Sequence, residues 1–151
     1  MGIFGFGKDD KEEGEAPVFT KPVDPGWVRN PTGGFFSFLD LDPEELNLSG
    51  VAGVYLIWHS GVRPEWVYVG HTKDMAASFH SAGKNSAITF YEQNGGLQVA
   101  WAPVMEEYRE GVVKYISDNF NPLVPNTDGY SDNTRPVPVI APIRTPPQKG
   151  K

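Results

Sequence analysis

Cysteine is absent from all 151 residues. Structural disulfides, cysteine-ligated zinc and thiol chemistry are thereby excluded. No apolar run approaches the roughly 18 residues that a membrane-spanning helix requires. Basic clusters are missing too. From Trp27 to Asn126 the chain carries six Lys/Arg and eleven Asp/Glu, a net charge of −5. A protein that grips phosphates usually presents a basic face, so the charge weighs against nucleic acid as a partner. The opening MGIFGFGKDDKEEGE places a short apolar stretch ahead of acids. A secretory signal has the reverse order, basic before apolar. The expectation is a soluble, cytoplasmic protein with no transmembrane segment.

What the chain does have is glycine (17), proline (14) and a 13% share of aromatic residues. They divide it into four stretches. Residues 1–26 are charged and aperiodic, which predicts a disordered acidic tail; its apolar start, MGIFGF, reads as a frayed terminus, or as a short docking peptide for a partner or a membrane surface. Residues 27–50 predict an extension packed on the core. There Phe35, Phe36, Phe38 and Leu39 are expected to bury, and Asp42 is expected to start a helix of one or two turns. Residues 51–126 predict the folded domain. Residues 127–151, with prolines at 136, 138, 142, 146 and 147, predict an extended, basic, solvated tail, or a polyproline segment that docks on a partner.

Within the domain, Val51–Trp58 is almost wholly apolar, as in a strand covered on both faces. Ser60-Gly61 predicts a turn and Glu65–Val69 a returning strand. Thr72 or Asp74 caps a helix reaching Ala82, with Met75, Phe79 and Ala82 on one face. Ala87–Tyr91 reads equally as strand or helical turn. Leu97, Val99 and Trp101 alternate with Gln98 and Ala100, a half-buried strand. Tyr108, Val112, Tyr115, Ile116 and Asn119 recur at helical steps over Glu106–Asn119, which Asn121-Pro122 stops. The fold class is α+β: a small antiparallel three-stranded sheet flanked by helices, in the order β-β-α-β-α, with disordered N- and C-terminal tails.

The hairpin opens on GVY (53–55) and closes on YVG (68–70). With the helix after it, the strand LQVAW and a last helix ending in Asn-Pro, it resembles the GIY-YIG nuclease superfamily over Gly50–Asn126, about half the chain. The resemblance implies phosphodiester hydrolysis. Tyr55 and Tyr68 would match the reacting tyrosines, and Gly53 and Gly70 their glycines. A helix arginine would stabilise the phosphate, and a glutamate on the last helix would hold a divalent metal. A phenol near pKa 10 is a poor base without a cation beside it. The transition state gathers negative charge that needs positive groups.

Both charged slots are altered. Ten residues after Tyr68 stands Ser78, and nine before Pro122 stands Val113. By analogy with an arginine finger, losing the arginine alone removes about 10³–10⁵ in rate. The expected pocket is vestigial: Tyr55, Tyr68, Gly70, His71, Ser78 and Val113, with no cofactor. Glu110, one turn before Val113, is the candidate ligand for Mg²⁺ or Mn²⁺ if the domain is active. His59 and Arg63 are expected in solvent at the hairpin turn, His80 pointing away from the pocket, and Arg109 paired with an acid. Three functions follow. The first is a catalytically inactive GIY-YIG-like domain acting as a protein-binding or structural module, through its tails or through Trp27, Trp58, Trp66 and Trp101 if exposed. The second is a divergent metal-dependent DNA endonuclease using Tyr55, Tyr68, His71 and Glu110. The third is an unrelated small α+β binding domain.

Overall fold

The computed structural model describes residues 20–144. Expectations for residues 1–19 and 145–151 lie outside it. Its elements in chain order are β1 (Phe36–Ser37), β2 (Gly53–His59), β3 (Glu65–Thr72), α1 (Met75–Gly83), α2 (Ser86–Thr89, continued by a 3₁₀ turn, Phe90–Gln93), β4 (Leu97–Ala102) and α3 (Glu106–Phe120).

The sheet has four antiparallel strands in the order β1-β4-β2-β3, not the three expected. The added strand comes from the N-terminal extension, where Phe36 pairs with Val99 and Ser37 with Gln98. Two residues carry too little alternation to announce a strand. Phe36 stacks on Trp101 at 5.3 Å, and Phe38 donates its backbone N–H to the Leu97 carbonyl. Phe38 buries as expected, Phe35 and Phe36 only in part, and Leu39 stands 41% exposed. Asp42 caps a turn rather than a helix, its Oδ1 accepting from the Glu44 and Glu45 amides.

β2 is the middle of the molecule. All seven of its residues are buried because both faces are covered. On one face Val54, Leu56 and Trp58 pack with Val69 and Ala100 against Val112, Val113 and Ile116 of α3. On the other, Tyr55 and Ile57 pack with Val99 and Trp101 against Met75, Phe79 and Ala82 of α1. A bulge sets Ile57 opposite Tyr68 but Trp58 opposite Trp66. Val67, the extra residue, joins the α1-side core.

α1 starts at Asp74, whose carboxylate accepts from the Ala77 and Gly50 amides. Those two bonds hold it below the usual carboxylate range. α3 ends at Asn121 in the left-handed conformation, φ 52°. The chain then runs along β3, an edge strand. Leu123 and Val124 donate to the Trp66 and Val67 carbonyls, and Asn126 Nδ2 donates to Val69 O. That edge is thereby covered against further pairing.

Of the tail expected over residues 127–151, the structure describes 127–144. Their backbone is extended, as the prolines require, but the stretch is not solvated throughout. Val137 is 5% and Val139 2% exposed, both packed on the α3-side core with Trp27. Val139 forms a parallel bridge with Val23, and Trp27 Nε1 donates to Ile140 O at 2.7 Å. Among the described residues no helix is long and apolar enough to cross a membrane.

Candidate functional site

The register brings the two tripeptides together. Tyr55 stands directly opposite Gly70, and Tyr68 opposite Ile57, so Tyr55 and Tyr68 are diagonal neighbours on the α1 face. Their ring centroids are 6.2 Å apart. The glycine has a steric cause: a Cβ at position 70 would fall 2.6 Å from the Tyr55 hydroxyl oxygen and 2.7 Å from Cζ. The phenol ring therefore occupies the space a side chain at 70 would fill, covering a glycine on an edge strand. Phe79 of α1 closes the other side, edge-on to Tyr55 at 5.5 Å.

Above the rings runs a row of hydroxyls. The Tyr55 hydroxyl lies beside those of Tyr68 and Ser78. Ser78 Oγ donates to Thr72 Oγ1 at 2.7 Å, and Thr72 Oγ1 donates to the Asp74 carbonyl. Burial, and secondarily Tyr68, pushes the Tyr55 phenol far above its ordinary value. Burial also pushes Tyr68 up, with the Asp128 charge adding to it and the Tyr55 hydrogen bond opposing. Both shifts favour the neutral phenol. The charge acting on Tyr68 is thus an acid, the opposite of what activates a phenol. Tyr55, Tyr68, Ser78, Ser81 and Asn85 line a cleft of about 90 Å³, room for roughly three waters at about 30 Å³ each.

The remaining expected members are elsewhere. His71 follows Gly70 by one residue, so it faces the other side of the sheet, opposite Val54. Its Nε2 donates to Gly129 O at 3.1 Å. Val113 is fully buried in the α3-side core. Glu110 is exposed on α3 and accepts from Thr134 Oγ1 at 3.0 Å. The sheet thus separates Tyr55, Tyr68, Gly70 and Ser78 from His71 and the α3 positions. Among the described residues no group of three or more His, Asp or Glu is placed to hold a metal ion.

Other expectations need correction. His59 is not in solvent but 2% exposed; it ends the apolar run, stacks on Tyr91, and hydrogen-bonds through Nε2 to Glu65 Oε1 at 3.1 Å. Arg109 Nε donates to the Val104 carbonyl at 2.7 Å. Arg63 is exposed, as expected, and His80 lies outside the cleft, bound to the Glu44 carboxylate at 2.9 Å. The four tryptophans are all buried, at 9% exposure or less. Among the described residues the large apolar groups in solvent are Leu39, Val62, Phe90 and Ile140. Asp128 was missed altogether. A single acid in an aperiodic loop gives no signal until the chain is seen to return past β3.

No family model, no curated protein and no solved structure matches this chain.

Proposed function

We propose that this is a catalytically inactive GIY-YIG-like domain that serves as a protein-binding or structural module. The observation that carries the reading is the electrostatics of the tyrosine pair. Tyr55 is buried and Tyr68 half-buried, burial holds both phenols neutral, and the charge acting on Tyr68 is that of Asp128. Phosphodiester cleavage asks for the reverse, positive groups around a developing anion. The metal slot, Val113, is an apolar core residue on the opposite face of the sheet. The tyrosines in this reading hold the hairpin to α1. Partners engage the terminal segments or exposed apolar side chains such as Phe90, not the buried tryptophans.

The test is direct. Full-length protein is incubated with plasmid DNA and with single-stranded DNA, in Mg²⁺ and in Mn²⁺, beside Tyr55→Phe and Glu110→Ala. The expected result is no cleavage above the Tyr55→Phe background. Metal-dependent cleavage lost in both variants would establish the nuclease instead.

A further inference from the structure

His59 ends β2 with only 2% of its surface exposed, and the proposed role of the tyrosine pair makes no use of it. Both of its ring nitrogens are engaged. Nδ1 accepts the Gly61 amide at 3.4 Å, so the ring proton sits on Nε2 and is donated to Glu65 Oε1 at 3.1 Å. Only neutral imidazole can do both, because an imidazolium has two donors and no acceptor.

The hairpin tip is seated directly on this ring. A Cβ at Gly61 would fall 2.5 Å from Asn94 O and 3.6 Å from His59 Nδ1. Ser60 beside it donates its amide to Gly96 O and its hydroxyl to Gly95 O. The tip and the loop before β4 are thus held as one unit. At its outer end Val62 and Arg63 stand in solvent.

The groups around the ring decide which contact yields when a second proton arrives. From β3, Glu65 offers a half-exposed carboxylate, which favours the charged ring. From the 3₁₀ turn, Tyr91 lies nearly parallel to the ring with centroids 6.2 Å apart, and a π face attracts a cation. β4 sets apolar Leu97 opposite His59, with the Glu92 carboxylate on the Leu97 amide. The charge of the tip itself is Arg63, in solvent. Glu65 and Tyr91 therefore keep the ring in place in either state. Gly61 N–H opposes the new proton, donor against donor. It belongs to a turn with no side chain to anchor it, so it is the partner that moves.

We propose that His59 is an acid-sensitive latch. A proton bound at Nδ1 leaves the ring on Glu65 and Tyr91, expels the Gly61 amide, and frees residues 60–64 from the loop at 94–96. The seated tip blocks Nδ1 and the released tip leaves it open to a proton, so falling pH favours release.

The test follows ¹⁵N-labelled full-length protein from pH 8 to pH 5, the span in which histidine ordinarily changes charge. The ¹⁵N shifts of the His59 ring report its protonation, and amide shifts report the tip. The expected result is a His59 ring protonated on Nε2 alone at pH 8. On acidification Nδ1 gains its proton, and the Ser60, Gly61, Gly95 and Gly96 amides move with the same midpoint. Val69 and Ala100, in the middle of the sheet, should stay still, which separates release of the tip from unfolding. Glu65→Gln, at a half-exposed site, removes the charge that favours imidazolium and should move the transition to lower pH. His59→Gln should abolish it. A proton on Nδ1 at pH 8 overturns the proposal, as does a ring still neutral at pH 5. So does protonation of His59 that leaves Gly61 unmoved, or a midpoint unchanged in Glu65→Gln.

Discussion

At Gly70 the missing side chain is as informative as any present one. The position is filled from across the strand by Tyr55, a nearly buried ring with Phe79 and Tyr68 against it. Gly70→Ala forces that ring to move, because Cζ and not only the hydroxyl lies 2.7 Å from the new Cβ. The expected cost is about 1–3 kcal/mol, read from urea unfolding midpoints. Tyr55→Phe in the same chain should rescue little of it, since the ring carbon remains. The tyrosine pair also has a pH signature. Both phenols titrate above their ordinary value of 10.0 in the folded protein. Below pH 10 both states keep the proton and the pair adds no pH dependence. Above it the unfolded chain loses protons that the folded chain retains, so stability falls as pH rises. Unfolding measured from pH 8 to pH 11 should show that alkaline decline, and Tyr55→Phe should flatten it.

Among the elements, α3 carries a glycine where helix propensity would not choose one. Gly111 sits mid-helix, and the segment after α3 crosses there: Val137 donates to the Gly111 carbonyl at 3.0 Å. On an isolated helix Gly→Ala stabilises by about 1 kcal/mol. Here the sign should reverse, because the new Cβ would meet Arg135 O at 2.5 Å and Val137 Cγ2 at 2.6 Å. Gly111→Ala is expected to lower the unfolding free energy and to raise the exchange rate of the Val137 amide. A stabilised variant with Val137 still protected would contradict this packing. The same contrast explains what could be read from the chain alone. β2, β3, β4, α1 and α3 declared themselves through long apolar periods. Two-residue β1 and the single valines between prolines at 137 and 139 have no period, because neighbours far along the chain impose their structure. Parity along β3 separates Tyr68 and Gly70 from His71, and it was legible. That α3 lies behind the sheet, taking Val113 and Glu110 from the tyrosines, was not.

For the whole molecule, the folded unit is larger than residues 51–126. Trp27, Val137 and Val139 belong to one core with Val112 and Ile116. Residues 51–126 alone would leave that core open. A chain ending after Thr134 loses the burial of two valines and the acceptor of Trp27 Nε1. It should be destabilised by about 3–5 kcal/mol, with a lower denaturation midpoint. An unchanged midpoint would mean that the segment rests on the surface without holding it.

The bridge between Val23 and Val139 has a mechanical side. The two arms run parallel, so tension applied to the chain's opposite termini slides one past the other in shear. The bonds from Val23 to Pro138, from Ile140 to Val23 and from Trp27 to Ile140 would then share the load and rupture together instead of unzipping in turn. A protein tethered at both extremities would resist stretching at this seam first, and the sheet behind it would feel force only once the seam had parted.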